Sequence, residues 1–285
     1  FNRIIWLCSK FLKSHSFFDL FKAGKNFMPL GLIKHGLGLA SADRHFPCAK
    51  DLNKSYDVVI IGGGGHGLAA AYHLAKDYGI TNVAVLEKGY LAGGNTARNT
   101  TIVRSNYLTE EGVKFYDESV QMFQNLSSEL DYNVLYSERG HLTLAHTDAA
   151  VRTARWRAEV NKHLGVDSEL VYADEIAKIC PELNLGTNVR YPILGALYHP
   201  PGAIARHDGV AWGYAKRAAE YGVEIHTQTE VMSLQIENNR VTGVKTNRGD
   251  IQCGKVLQAV SGMSSEVARM AGFKLPIKTI PLQAC

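Results

Sequence analysis

The sequence predicts an α/β fold, and three stretches carry that prediction. Residues 58–61 form a short, fully apolar run, as a strand buried on both faces requires. A glycine cluster and a helix-forming stretch over residues 68–76 follow it, and residues 83–86 are again fully apolar. From residue 223 onward, short strand-like segments alternate with turn residues. We therefore predict a Rossmann-type βαβ unit with an added β-meander.

The composition is that of a soluble globular protein. The chain has 285 residues, of which 46% are hydrophobic and 20% charged, enough for one large domain or two modest ones. A net charge of +4 is too small and too dispersed to indicate nucleic-acid binding. No apolar stretch approaches the roughly 18 residues of a membrane span, so we expect no transmembrane helix.

Cysteine and histidine usage points to a reducing compartment and to no metal. The five cysteines are scattered without a C-x-x-C pair, which predicts free thiols and a cytoplasmic location rather than a disulfide framework or a zinc site. The histidines show no metal-ligand spacing, and H-E-x-x-H is absent from the sequence. We predict that the protein binds no metal.

Residues 1–53 are predicted to form a separate N-terminal arm, in which Lys and Arg outnumber Asp and Glu. We favour an arm that clamps the protein's own surface or a partner subunit. The alternative is a signal peptide, because Ala40-Ser41-Ala42 resembles a cleavage site. Lys34 and His35 interrupt the apolar run that should precede such a site.

The remaining segments predict further helices and strands. Residues 110–130 and 147–163 have the pattern of amphipathic helices, and residues 140–145 that of a strand. We expect Asp208 to cap a helix that runs to residue 220. The strands predicted after it are residues 223–227, 230–236, 241–246 and 250–253, with turns at residues 238–239 and 248–249. A separate buried strand is predicted at residues 256–260, and a helix after Ser261-Gly262.

The glycine cluster has the dinucleotide-binding spacing. Gly62, Gly64 and Gly67 give G-x-G-x-x-G directly between the first predicted strand and the helix, and Glu87 follows the second strand. The first glycine permits a tight turn, the second lets the backbone approach a diphosphate, and the third lets helix and strand pack closely. The diphosphate then lies on bare N–H groups at the positive end of the helix. Glu87 can accept hydrogen bonds from ribose hydroxyls and would repel a 2′-phosphate.

The loop after Glu87 favours FAD over NAD. Residues 93–101 form a polar, glycine-containing loop whose many hydrogen-bonding groups suit a long ligand that runs past the diphosphate towards a ring system. The β-meander that leads back into a buried strand is also typical of flavoproteins. NAD, or a glycine-rich turn with no ligand, are the alternatives.

Four longer segments extend these motifs into a resemblance. YDVVIIGGGGHGLAAAYHLAKDYGITNVAVLEKG and GGNTARNTTIVRSNYL, then RYPILGALYHPPGAIARHDGVAWGYA and GKVLQAVSGMSSEVARMAGFKLPI, resemble the beta subunits of heterotetrameric sarcosine oxidases. These belong to the D-amino-acid-oxidase-like flavoprotein superfamily. The resemblance covers roughly residues 54–284. The glycine motif is common to the superfamily, whereas GGNTARNTTIVRSNY and ARHD-x-VAW are specific to this branch.

The resemblance implies roles for individual residues. His207 matches the histidine to which the family attaches FMN covalently, with Arg206 as a further FMN contact, and Arg104 matches an arginine that binds the substrate carboxylate. By residue type alone, a structural histidine at a helix start and a surface arginine remain open. The positions matching FAD contacts are Gly62, Gly64, Gly65, His66, Gly67, Glu87, Asn95, Thr96, Thr100, Ile102 and Val231.

The function implied by the resemblance is oxidative demethylation of sarcosine to glycine, with electrons passing from FAD to FMN and then to oxygen. FMN would lie at the boundary with a larger alpha subunit of the heterotetramer. The alternatives are oxidation of another amine, such as glycine, dimethylglycine or N-methylglutamate, and an inactive flavin-binding scaffold.

The expected organisation has three parts. These are the arm, an FAD-binding domain formed by residues 54–110 and 205–270, and an α+β substrate domain formed by residues 111–204 and 271–285. Because the chain begins with Phe1 and stops at Cys285 after an apparent strand entry, we expect a fragment with an incomplete substrate domain.

Overall fold

The computed structural model describes Cys48, Ala49 and residues 51–283. Most of the predicted N-terminal arm, and with it the choice between a clamp and a signal peptide, lies outside the described residues. No helix within the described part of the chain is both long enough and apolar enough to cross a membrane.

The described residues alternate strands and helices. The strands are β1 (Ser55–Ile61), β2 (Val83–Leu86), β3 (Ile102–Val103), β4 (Ser137–Glu138), β5 (His141–Ala145), β6 (Glu169–Val171), β7 (Gly195–His199), β8 (Ala203–Ile204), β9 (Glu224–His226), β10 (Val231–Glu237), β11 (Arg240–Thr246) and β12 (Gly249–Gln258). The helices are α1 (Gly65–Tyr78), α2 (Glu110–Glu129), α3 (Asp148–His163), α4 (Ala173–Ile179), α5 (His207–Glu220) and α6 (Ser264–Met270).

A six-stranded sheet in the order β10-β11-β12-β1-β2-β9 forms the centre of the fold. β1 pairs in parallel with both β2 and β12, and β2 pairs in parallel with β9. β10, β11 and β12 form the predicted antiparallel meander. The predicted Rossmann-type βαβ unit with a meander is therefore confirmed.

The apolar run of β1 is buried because it lies inside this sheet. Val59 and Ile60 are both fully buried, one on each face. On the Ile60 face, Leu68 of α1 and Ala215 of α5 belong to the same core. On the opposite face, Val59 belongs to a second core that includes Val244 of the meander. Burial of each such Val, Leu or Ile side chain stabilises the folded state by about 1.5–3 kcal/mol.

Helix α1 ends at a glycine cap. Gly79 adopts φ 68°, and its N–H donates to the carbonyl oxygen of Ala75, while the N–H of Ile80 donates to that of Leu74. This left-handed cap satisfies carbonyl groups that the last helical turn leaves open. The chain then turns directly into β2.

The prediction of two separate strands at residues 250–253 and 256–260 is wrong, because β12 is one continuous strand. Its first part pairs antiparallel with β11 and its second part pairs parallel with β1. Gly254 and Lys255, which separate the two predicted strands, lie inside β12. A Cβ at Gly254 would lie 3.1 Å from the backbone oxygen of Asp57 on β1.

The meander turn between β10 and β11 has the predicted position. Asn238 and Asn239 both have positive φ, 49° and 59°. Two successive left-handed residues define a type I′ turn, whose twist matches that of the flanking strands, and Asn tolerates this conformation.

Two small sheets and three further helices make up most of the rest. The sheets have the orders β3-β8-β4 and β5-β7-β6, and all their pairings are antiparallel. Helices α2 and α3 confirm the amphipathic helices predicted at residues 110–130 and 147–163. The domain boundaries at residues 110 and 205 remain a prediction.

Candidate functional site

The N-cap residue of α1 is Gly64, which has no side chain to accept from the amides of the first turn. Gly64 occupies the cap position with extended backbone, φ −85° and ψ −179°, and the first turn contains no acidic residue. The N–H of Gly65 donates to the hydroxyl oxygen of Thr96 at 3.0 Å, and His66 is exposed. Free N–H groups at the positive end of a helix favour a bound anion.

The turn before α1 demands glycine at two positions. Gly62 has φ 109°, and a Cβ there would lie 2.5 Å from the backbone oxygen of Ala259. A Cβ at Gly67 would lie 2.0 Å from the backbone oxygen of Gly62. Both distances are far below van der Waals contact, so the close approach of α1 to β1 and β12 depends on the missing side chains.

Glu87 follows β2, and backbone amides fix its carboxylate. One carboxylate oxygen accepts a hydrogen bond from the N–H of Gly63 at 2.9 Å, and the other accepts one from the N–H of Gly89 at 2.8 Å. The backbone oxygen of Glu87 accepts a hydrogen bond from the N–H of Thr229, two residues before Val231. The structure therefore brings together the glycine turn, Glu87 and the start of β10. Each carboxylate oxygen keeps acceptor capacity for a further hydroxyl.

The loop over residues 93–101 forms a polar shelf beside the helix tip. Its short 3₁₀ turn, Asn95–Arg98, contacts α5, and the side-chain amide of Asn95 donates to the hydroxyl of Ser261 at 2.7 Å. Thr100 and Ile102 are exposed. The shelf thus leaves polar groups open to a ligand next to the uncapped amides.

Arg104 lies directly after β3, and its guanidinium has two contacts. Nη1 donates to the side-chain oxygen of Asn106 at 2.8 Å, and the guanidinium carbon lies 4.5 Å from the centre of the Tyr107 ring. Within residues 51–283, Arg104 forms no ion pair with Asp or Glu. Its charge therefore remains available to an anionic ligand.

The histidines close to Arg104 are held neutral. Burial, followed by the charge of Arg104, lowers the pKa of His141 to about 4. Burial lowers the pKa of His199, and Arg104 adds to that effect. Nδ1 of His199 donates to the backbone oxygen of Asp167, so the neutral ring leaves Nε2 to accept from the N–H of Ser105.

The helix start near His207 differs from the prediction. Asp208 was expected to cap the helix, but the cap is Arg206 and His207 is the first helical residue. The Asp208 carboxylate instead accepts two hydrogen bonds from the Arg206 guanidinium, at 3.1 and 2.9 Å. His207 is half-buried, and its Nδ1 is buried without a hydrogen-bond partner among the described residues.

Comparison with known proteins agrees with this geometry. A family model described as FAD dependent oxidoreductase (DAO) matches residues 57–285. This chain belongs to that family. Among curated relatives, the chain is 55% identical over 231 residues to sarcosine oxidase subunit beta of Arthrobacter sp, an alignment that covers 81% of this chain and 57% of the relative. It is 47% identical to sarcosine oxidase subunit beta of Rhodobacter capsulatus, over 81% of this chain and 56% of the relative. The chain thus spans little more than half the length of these relatives.

Solved structures of the FAD dependent oxidoreductase family share the fold. L-proline dehydrogenase from P. horikoshii superposes with a TM-score of 0.73 at 31% identity, covering 80% of this chain and 58% of that one. Glycine oxidase from Bacillus cereus superposes with a TM-score of 0.66 at 29% identity, covering 75% and 57%.

The residues of this family member fit an FAD. The uncapped amides of α1 suit a diphosphate, the fixed carboxylate of Glu87 suits a ribose, and the exposed shelf leaves room for the ring system. The unpartnered Nδ1 of His207 is likewise compatible with a second flavin.

The predicted site residues divide into two regions. β3 and β8 pair antiparallel, with Ile102 opposite Ile204 and Val103 opposite Ala203. Arg104 follows one end of this ladder, whereas His207 follows the other end. The structure therefore places the two residues apart, on either side of the ladder.

Sequence reasoning missed the residues that contact Arg104. Asn106 and Tyr107 belong to the segment GGNTARNTTIVRSNY, yet no role was predicted for either. The available signal was the polar segment Ser105-Asn106-Tyr107 directly after Arg104. Short-range contacts of this kind depend on a backbone bend that the pattern alone does not predict.

Proposed function

We propose that this chain is part of a flavin-dependent amine oxidoreductase subunit that oxidatively demethylates sarcosine to glycine. Arg104 carries the proposal, because it is a half-buried guanidinium without an acidic partner among the described residues, in a family member whose curated relatives are named sarcosine oxidase subunit beta. The activity belongs to the whole protein, of which this chain covers the part described above.

The geometry of the turn supports the proposed FAD contacts. The amides of Gly64 and His66 would hold the diphosphate, with Gly65, whose N–H donates to Thr96, in the same turn. Glu87 would bind the ribose next to the adenine. When bound, FAD supplies the acceptor for a hydride equivalent. The resemblance implies further contacts with FAD. The residues beside its flavin portion would be Asn95, Thr96, Thr100 and Ile102, and the Val231 backbone would contact the adenine.

Arg104 would hold the amine substrate by its carboxylate. A guanidinium can donate two parallel hydrogen bonds to a carboxylate, which fixes both the position and the direction of the substrate. Burial and the charge of Arg104 lower the pKa values of His141 and His199, so neither imidazole adds a further positive charge beside Arg104. The N-methyl group would lose a hydride equivalent, and water would hydrolyse the imine to glycine and formaldehyde.

The second flavin site would lie at His207. We propose that His207 would hold FMN covalently and that Arg206 would contact this FMN. When bound, FMN would supply an acceptor for electrons from FAD that oxygen can reoxidise. The word subunit in the relatives' names supports an assembly with other chains, including an alpha subunit at the FMN. We also propose that the protein is located in the cytoplasm.

The substrate assignment is tested by anaerobic mixing of full-length, FAD-loaded protein with sarcosine. We expect the yellow absorbance of oxidised flavin to disappear, and glycine and formaldehyde to form in equal amounts. If proline, glycine or dimethylglycine bleaches the flavin and sarcosine does not, the sarcosine assignment is wrong.

The His207→Ala variant tests the covalent flavin. Wild-type protein is expected to keep yellow colour after denaturation and removal of small molecules, whereas His207→Ala loses all covalently held flavin. The matched control is His163→Ala, which removes an exposed imidazole at the end of α3. Flavin retained by denatured His207→Ala would exclude this attachment site.

A further inference from the structure

The backbone turns at Asn106, two residues after Arg104, where the N–H of Tyr107 donates to the backbone oxygen of Ser105 at 2.7 Å. This bend is held from several directions. The N–H of Ser105 donates to His199, and its hydroxyl donates to Asp117 at 3.1 Å. The backbone oxygen of Tyr107 accepts from the side-chain amide of Asn161 at 2.7 Å. A bend whose polar groups are satisfied by separate elements has little freedom to rearrange.

Arg157 of α3 fixes the middle of the same bend. Its Nε donates to the backbone oxygen of Asn106 at 2.8 Å, and Nη2 donates to the same oxygen. Arg157 and Asn161 are four residues apart on α3, so one face of that helix holds both Asn106 and Tyr107. The position of Asn106 is therefore set by a neighbouring helix and not by Arg104.

Asn106 and Tyr107 in turn constrain the Arg104 guanidinium. The side-chain oxygen of Asn106 accepts one N–H in the plane of the group, and the Tyr107 ring lies close to the guanidinium. Tyr107 stacks on Tyr116 of α2, with ring centres 3.9 Å apart and planes at 17°. An in-plane hydrogen bond combined with a ring contact restricts both rotation and tilt of a guanidinium.

The acceptor is an amide and not a carboxylate. Asn106 is fully buried, and its Nδ2 has no hydrogen-bond partner among the described residues. A carboxylate at this position would form an ion pair with Arg104 and compete with any carboxylate ligand. The neutral amide orients the guanidinium and leaves its charge uncompensated.

We propose that Asn106 is a positioning residue that orients Arg104 for the carboxylate of the amine substrate. The inference rests on the proposed function and deepens it, because it states how the substrate carboxylate is recognised. Arg157 and Tyr107 support the same orientation, since one holds the Asn106 backbone and the other contacts the guanidinium.

The test measures binding in place of turnover. The probe is methoxyacetate, in which an ether oxygen replaces the amine of sarcosine, titrated by calorimetry into full-length, FAD-loaded protein. We expect Asn106→Ala to weaken binding about tenfold, roughly 1.4 kcal/mol. In an Arg104→Met background, the same substitution is expected to change binding less than about twofold, because the group that it orients is absent. Equal effects in both backgrounds would show that Asn106 acts on the fold alone and would overturn the proposal.

A second variant covers the case in which Asn106→Ala fails to fold. Asn106→Asp keeps the volume and the acceptor oxygen, but its charge pairs with Arg104, so we expect binding to weaken at least about tenfold. Asn184→Asp makes the same charge change at an exposed site whose acceptor already bonds Gly186, and it should bind like wild type. Wild-type affinity in Asn106→Asp would overturn the proposal.

Failure of the proposed function gives a different result. Wild-type protein that binds methoxyacetate with the expected dependence on Asn106, but is not reduced by sarcosine, leaves the positioning role intact and overturns the substrate. Wild-type protein that is reduced by sarcosine, with equal Asn106→Ala effects in both backgrounds, overturns the positioning role alone. Absence of methoxyacetate binding by wild type would remove the carboxylate site and the inference with it.

Discussion

Gly67→Ala is expected to weaken FAD binding at least a hundredfold, about 2.7 kcal/mol, and to give colourless purified protein. The added methyl carbon would lie 2.0 Å from the backbone oxygen of Gly62, which no side-chain rotation can relieve. Helix α1 would have to move away from β1, and its amides would move away from the diphosphate with it. Flavin absorbance of the purified protein and titration of apoprotein with FAD measure the effect.

Gly79→Ala is the matched control for this prediction. It adds the same methyl group to the opposite end of α1, where nothing lies within 4 Å of the new atom. The φ of 68° makes alanine cost about 1–2 kcal/mol of stability, but the helix tip stays in place. FAD affinity within threefold of wild type is expected. If Gly67→Ala binds FAD as tightly as this control, the close helix–strand approach is not what forms the site.

Arg104→Met is expected to lower kcat/KM for sarcosine about a thousandfold, roughly 4 kcal/mol of lost binding in the transition state. Methionine keeps most of the side-chain volume but cannot donate to a carboxylate. Steady-state oxidation of sarcosine by full-length protein gives the value. N-methylglycinamide lacks the negative charge of sarcosine, so Arg104→Met should lower kcat/KM much less for this amide than for sarcosine.

Arg190→Met provides the comparison for Arg104→Met. Arg190 is exposed and also contacts a nearby ring, with its guanidinium carbon 5.2 Å from the centre of the Tyr191 ring. The substitution therefore removes the same charge and the same type of ring contact away from the bend at Asn106. Wild-type kinetics are expected. A comparable loss in both variants would mean that Arg104 acts through general charge or folding, and not through the substrate.

The parts of the fold that were predicted correctly have strong local patterns. Residues 58–61 of β1 and all of β2 are apolar and buried, and G-x-G-x-x-G connects β1 to the α1 helix. Helices α2 and α3 begin at threonine caps, Thr109 and Thr147, whose hydroxyl oxygens each accept a backbone N–H. Such signals lie within a few residues of the structure that they specify.

The elements that were not predicted depend on partners far away in the chain. β8 has two residues and forms a strand because it pairs with β3 on one side and with β4 on the other. A two-residue segment has no measurable periodicity. The same reason applies to Asn106, whose position is fixed by Arg157 from α3. The continuity of β12 was missed because its pattern changes where its pairing changes from β11 to β1.

That change of partner within β12 limits how the molecule can move. One strand of ten residues belongs both to the meander and to the parallel sheet, so the two cannot hinge against each other without breaking hydrogen bonds on both sides of it. The adenine end and the diphosphate end of the cofactor cradle should therefore move as one body. Opening motions are expected instead at the short β3–β8 ladder, which has only two residue pairs and therefore fewer hydrogen bonds to break. Amide protons of β12 should accordingly exchange much more slowly than those of Ile102 and Ile204.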